Sequence, residues 1–137
     1  MKVYFACSIS GGREDEELYQ HLVGFLLSMG INVPTAHIAE TGIEELDARE
    51  DPYDIYLRDI TWINESELLV AEVSTPSHGV GYEIGYALDL NKPVLCLYQQ
   101  GVVVSKMILG NPHPLLTVFS YADWEEAEEH LREYLSS

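Results

Sequence analysis

The stretch Leu68-Leu69-Val70-Ala71-Glu72-Val73-Ser74-Thr75-Pro76-Ser77-His78-Gly79-Val80-Gly81-Tyr82-Glu83-Ile84-Gly85-Tyr86-Ala87-Leu88 decides the fold. Its first four residues are apolar throughout, as in a strand covered on both faces, and Ser74-Thr75-Pro76-Ser77 is a run of turn residues. From Gly79 the pattern is that of a helix, whose glycines allow close backbone approach at its start. Upstream, Tyr53, Tyr56, Leu57, Ile60, Trp62 and Ile63 repeat at helical spacing, and the polar, acidic residues 34–51 read as a loop over a site. Residues 31–33 read as a brief second strand. Leu18, Leu22, Phe25, Leu26 and Met29 predict a helix from Glu14, stopped by Gly30, and residues 1–9 a first strand ending near Ser8. Downstream, residues 93–98 predict a fourth strand, 105–109 a short helix and 117–119 a fifth strand. Trp124, Ala127, Leu131 and Leu135 predict a final amphipathic helix.

Strands alternating with helices, the inner strands wholly apolar, give an α/β class: a parallel sheet with right-handed crossovers and helices on both faces. The expectation is a three-layer, doubly wound, five-stranded sheet of order 2-1-3-4-5, flavodoxin- or Rossmann-like, forming one domain over residues 1–137.

Composition narrows the function. With 137 residues, 47% of them hydrophobic, the chain can bury a core without a metal or disulfide staple. Seven Lys and Arg against 23 Asp and Glu give a formal charge of -16, which repels polyanions and argues against nucleic acid as a partner. No stretch reaches the roughly 18 apolar residues of a membrane span, and residues 1–9 lack a leader pattern. A cytoplasmic protein without a membrane partner is expected. Cys7 and Cys96 lie in apolar runs and read as buried free thiols in a reducing compartment. His21, His37, His78, His113 and His130 lack metal-ligand spacing, and neither a metal nor a cofactor is expected.

In open sheets of this class ligands bind beyond the carboxyl ends of the strands, where strand order reverses. Two loops meet there, Ser8-Ile9-Ser10-Gly11-Gly12-Arg13 and Ser74 to Gly81, both rich in hydroxyls and glycines and each opening a helix. Free amides at helix starts attract an anion, so a phosphate is the natural guest. With few cations in the chain, neutral donors such as Ser8 and Ser77 would hold it, with Arg13 or Lys106 as helpers, which favours a small phosphomonoester. Neither G-x-x-x-x-G-K-[ST] nor a first-turn G-x-G-x-x-G is present.

Glu83, placed in the first turn of the helix facing that crevice, has two readings. It complements the helix dipole, or, kept ionised by nearby amides, it attacks the anomeric carbon of a bound sugar while Asp59 moves a proton or orients it. Glu72 is a third acid in an apolar strand, which either points to the crevice mouth or pairs with a cation such as Arg58.

Tyr4-Phe5-Ala6-Cys7-Ser8-Ile9-Ser10-Gly11-Gly12-Arg13-Glu14-Asp15 and Val70 to Gly85 resemble the 2'-deoxynucleoside 5'-monophosphate N-hydrolases, which belong with the nucleoside 2-deoxyribosyltransferases. The likeness continues through Asp59, residues 93–98 and Ser105-Lys106-Met107-Ile108. It implies cleavage of the N-glycosidic bond of a nucleoside monophosphate through a glycosyl-enzyme intermediate. Glu83 matches the nucleophile, Asp59 the acid that orients it and protonates the departing base, and Tyr4 a tyrosine beside both sugar and nucleophile. Ser8 and Ser77 match phosphate-binding serines, Gly79 lies in the backbone cradle between them, and Ser105 matches a serine reaching the phosphate across a homodimer interface. His37 matches a histidine near the base, and Ile9 is assigned to the base with it. Ser10, also assigned to the phosphate, stands where the hydrolases usually carry an arginine, leaving the strength of phosphate recognition open. A deoxyribosyltransferase using the same Glu83 is the alternative reaction, and a non-catalytic nucleotide- or FMN-binding module is the alternative class.

Overall fold

The computed structural model describes residues 1–9 and 15–136. Four parallel strands, β1 (Val3–Ala6), β2 (Leu68–Glu72), β3 (Val94–Gln99) and β4 (Leu116–Tyr121), lie side by side in that order. They alternate with helices α1 (Glu16–Ser28), α2 (Ile43–Arg49), α3 (Pro52–Glu65), α4 (His78–Asp89), α5 (Lys106–Leu109) and α6 (Trp124–Ser136). Because successive strand residues point to opposite faces, the apolar strands feed two cores. Val3, Phe5, Val70, Leu95 and Leu97 pack with Leu22 and Leu26 of α1 and Leu131 of α6. On the other face Tyr4, Ala6, Leu69, Ala71 and Cys96 pack with Ile63 of α3 and Ile84 and Ala87 of α4. Cys7 and Cys96 are both buried and form no disulfide with each other, and burial pushes the Cys96 thiol up to about 12.

The sheet has four strands where the sequence suggests five. Residues 31–33 make a single parallel bridge, Asn32 to Lys2, beyond the free edge of β1. Pro34 cannot extend a ladder, because it lacks an N–H. Its neighbour Thr35, 1% exposed, then does with its side chain what a strand would do with backbone: Oγ1 accepts from the Phe5 N–H at 3.0 Å and donates to the Phe5 carbonyl at 2.7 Å. The β1 edge is thus satisfied without a strand, and the chain turns away over the crevice.

Residues 34–51, expected as loop, contain a 3-10 turn (Ala36–Ala39) and α2. The helix that follows starts where the sequence dictates. Asp51 caps α3 by accepting from the Tyr53 N–H at 2.8 Å, and Pro52 occupies the first turn, where no amide partner is needed. The helix α1 begins at Glu16, so the expected start at Glu14 lies outside the described residues. Gly30 follows it with φ +77°, a left-handed conformation that glycine adopts without steric cost. No helix among the described residues is long and apolar enough to cross a membrane.

Candidate active site

Three residues that the sequence singles out converge on the α3–α4 face of the sheet. Tyr4 lies within β1, 2% exposed, and its hydroxyl donates to Oε2 of Glu83 on α4. Asp59, on α3, shares with Glu83 a cleft of about 290 Å³ that is also lined by Tyr56, Ile60, Gly79 and Tyr82. The cleft lies within reach of the N-terminus of α4, where Ser77 caps the helix by accepting from the Val80 N–H at 3.2 Å.

The electrostatics of Glu83 differ from the sequence expectation. With α4 starting at His78, Glu83 sits in the second turn, it accepts a hydrogen bond from Tyr4, and free amides do not set its charge. Burial is the largest influence and pushes its carboxyl up to about 7; the Asp59 charge pushes the same way, while the Tyr4 bond and the Arg58 charge oppose it. Burial likewise raises Asp59, against the Arg58 hydrogen bond and charge. Tyr4 is raised far above the ordinary phenol range by burial and by both carboxylates, so it stays a donor at every working pH. A buried carboxyl poised near neutrality, a second carboxyl raised from its ordinary value and a fixed phenol donor are groups of the kind that displacement at a sugar carbon with proton delivery to the leaving group requires.

The phosphate candidates divide. Ser8, just beyond β1, is fully buried, and its Oγ has no hydrogen-bond partner among the described residues. A buried hydroxyl left unpaired is costly unless a ligand completes it. Ser77 is half-buried at the cap of α4, and Gly79 is exposed two residues on, with the Ser77 Oγ 3.8 Å from where a Cβ would stand. Ser105 is exposed, caps α5 by accepting from the Met107 N–H at 3.1 Å, and lines with Ser77 a second cleft of about 490 Å³ on the other flank of α4. Ser10 and Arg13 lie outside the described residues.

His37, on the 3-10 turn, packs edge-on against Trp62 of α3 with ring centroids 5.6 Å apart. Burial and the Arg58 charge lower its basicity, and the carboxylates of Asp59, Glu40 and Glu50 oppose them. Ile9 packs at the fringe of the cluster that includes Ile38, the next residue along from His37. Glu72 follows neither expected course. It is buried at the end of β2, where it accepts from the Tyr121 hydroxyl, the Ser74 N–H at 2.7 Å and the Ser74 hydroxyl at 3.0 Å. The Ser74 Oγ in turn accepts from the Gln99 N–H at 2.9 Å, so this network fixes the start of the β2–α4 turn. Arg58 pairs with Asp59 and Glu50 instead of Glu72. Its place in the site was not legible in sequence, since neighbouring residues on a helix point in different directions.

Comparison with known proteins places the chain in a family. The chain is 43% identical over 141 residues to the 5-hydroxymethyl-dUMP N-hydrolase of Mus musculus, covering 98% of this chain and 80% of that one. It is 40% identical over 141 residues to the 5-hydroxymethyl-dUMP N-hydrolase of Danio rerio, covering 100% and 97%. Among solved structures it is similar to the Clostridium botulinum CMP N-glycosidase BcmB, with TM-score 0.73 at 22% identity over 98% of this chain and 99% of that one. A sequence profile described as nucleoside 2-deoxyribosyltransferase matches residues 3–129, and the chain belongs to that family.

Proposed function

We propose that this protein hydrolyses the N-glycosidic bond of 2'-deoxynucleoside 5'-monophosphates, releasing free base and 2-deoxyribose 5-phosphate. The observation that carries the reading is the placement of Glu83, bonded to Tyr4, in one cleft with Asp59. The names of the mouse and zebrafish relatives support it.

In the first step an oxygen of ionised Glu83 forms a bond to C1' of the sugar as the C1'–N bond breaks. The electron pair leaves with the base, which takes a proton from Asp59. In the second step water adds at C1', the ester to Glu83 breaks, and Asp59 recovers a proton from that water. Tyr4 holds Glu83 in position while it is charged. Ser8 and Ser77 with the backbone at Gly79, and Ser10 beside them, hold the 5'-phosphate, and His37 with Ile9 borders the base. No metal or cofactor enters these steps.

The working unit is a homodimer in which Ser105 of the partner subunit completes the phosphate site. Tyr53, Tyr56 and Leu57 on α3, Tyr82 on α4 and Met107 on α5 are exposed, Met107 by 83%, and would be covered by a second copy. Sedimentation velocity distinguishes dimer from monomer. The function is tested by a panel of ribo- and deoxyribonucleoside monophosphates, 5-hydroxymethyl-dUMP among them, and their nucleosides, scored for free base and sugar phosphate. Base release confined to deoxynucleoside monophosphates is the expected result, and equal use of nucleosides contradicts the phosphate site. Adding a second free base tests the transferase alternative, which yields a new nucleotide in place of sugar phosphate.

A further inference from the structure

We propose that Arg58 is a positioning residue for the reaction: its guanidinium, laid on the Trp62 ring and tied to Glu50, orients the Asp59 carboxyl and supplies the positive charge that helps keep Glu83 ionised beside it. This inference rests on the reading of Asp59 and Glu83 as the reacting carboxylates.

Neighbouring residues on a helix do not face each other, so a contact between residues 58 and 59 has to be built. Trp62, one turn further along α3, supplies a platform, with the Arg58 Cζ 5.1 Å from its ring centroid. Folded back onto that ring, Arg58 Nε donates to Asp59 Oδ1 at 3.0 Å. From the other side Nη1 donates to Glu50 Oε2 at 3.4 Å, which links the end of α2 to the catalytic helix. A ring and two carboxylates thus define the plane of the guanidinium. A lysine ammonium, a point charge without a planar fork, cannot satisfy all three. The Arg58 and Asp59 side chains are 23% and 22% exposed, so solvent screens the pair only in part.

Charge makes the same demand as geometry. Two carboxylates in one cleft repel, and burial penalises both. Tyr4 faces them uncharged, His37 draws Asp59 downward when it carries a proton, and Asp47 adds a further negative charge. Among these groups Arg58 alone is permanently positive, and it draws both carboxyls downward. Its contact with Trp62, which also packs against His37, makes it part of the wall on the base side of the site.

The test is the pH dependence of kcat/KM for base release by the full-length parent, Arg58→Gln and Arg58→Lys, with Asp59→Asn and Glu83→Gln in parallel. Arg58→Gln is expected to move the acid limb up by about one pH unit and to lower kcat roughly tenfold, with KM little changed. Arg58→Lys is expected to restore the limb but not kcat. A folded Arg58→Gln with the limb of the parent overturns the charge role, and Arg58→Lys at the kcat of the parent overturns the positioning role. Should Arg58→Gln fail to fold, the lysine variant still decides, through kcat. If Asp59→Asn and Glu83→Gln retain full activity, it is the reading of the site that fails. If both are inactive while the Arg58 variants match the parent, this inference alone fails.

Discussion

The Tyr4 hydroxyl on β1 donates to the Glu83 carboxylate on α4, a bond between residues 79 apart in sequence that ties this carboxylate to the edge strand of the sheet. Tyr4→Phe keeps the buried ring and loses only this donor, which favours the charged form of Glu83. The acid limb of kcat/KM should rise in pH and the rate fall roughly ten- to a hundredfold, with the fold intact by circular dichroism. An unshifted limb would remove Tyr4 from the site.

Glu83 also links activity to stability. Its carboxyl titrates near 7 in the folded protein, above its ordinary 4.5, so folding favours the protonated form. That contribution is complete below the ordinary value and is lost as pH rises through about 7. Glu83→Gln keeps an acceptor for Tyr4 and removes the titration. Its stability advantage over the parent should therefore grow between about pH 5 and pH 8, on the order of 2 kcal/mol. Thermal melts at the two ends check it, and an equal difference at both contradicts it.

Ser8 and Ser77 separate recognition from architecture. The Ser8 hydroxyl is buried without a partner among the described residues, so Ser8→Ala should leave the melting temperature unchanged or higher while raising KM for the phosphorylated substrate. Ser77 also caps α4, and Ser77→Ala should raise KM and in addition cost about 1 kcal/mol of stability. Equilibrium urea unfolding and KM for nucleotide against nucleoside distinguish the two.

Much of the fold follows from patterns with several repeats. The run at Leu68 to Ala71 and the periodicity of α1, α3 and α6 could be read because each carries apolar residues through whole turns or a whole strand. Residues 31–33 suit a strand by composition, and nothing local reveals that the Thr35 side chain satisfies Phe5 in its place. Residues 34–51 hid a 3-10 turn and a seven-residue helix, too short for a periodic signal. At the site, Glu83 and Asp59 were visible through residue type and resemblance. The rise of Glu83 was not, because it depends on how deeply the carboxyl is buried.

The role of Thr35 at the β1 edge can be tested directly. Thr35→Val keeps the shape and removes both bonds to Phe5, leaving a buried N–H and carbonyl unpaired. It should cost about 1–3 kcal/mol in urea unfolding. Because the 3-10 turn carrying His37 follows Thr35 directly, KM should change with it. A stability equal to the parent would show that another group satisfies the β1 edge.

The most direct measurement is single-turnover base release from a 2'-deoxynucleoside 5'-monophosphate by Glu83→Gln at saturating enzyme. The account predicts a fall of at least roughly a thousandfold against the parent, because the amide cannot form the bond to C1'. Release within tenfold of the parent by a folded variant would contradict a covalent role for Glu83.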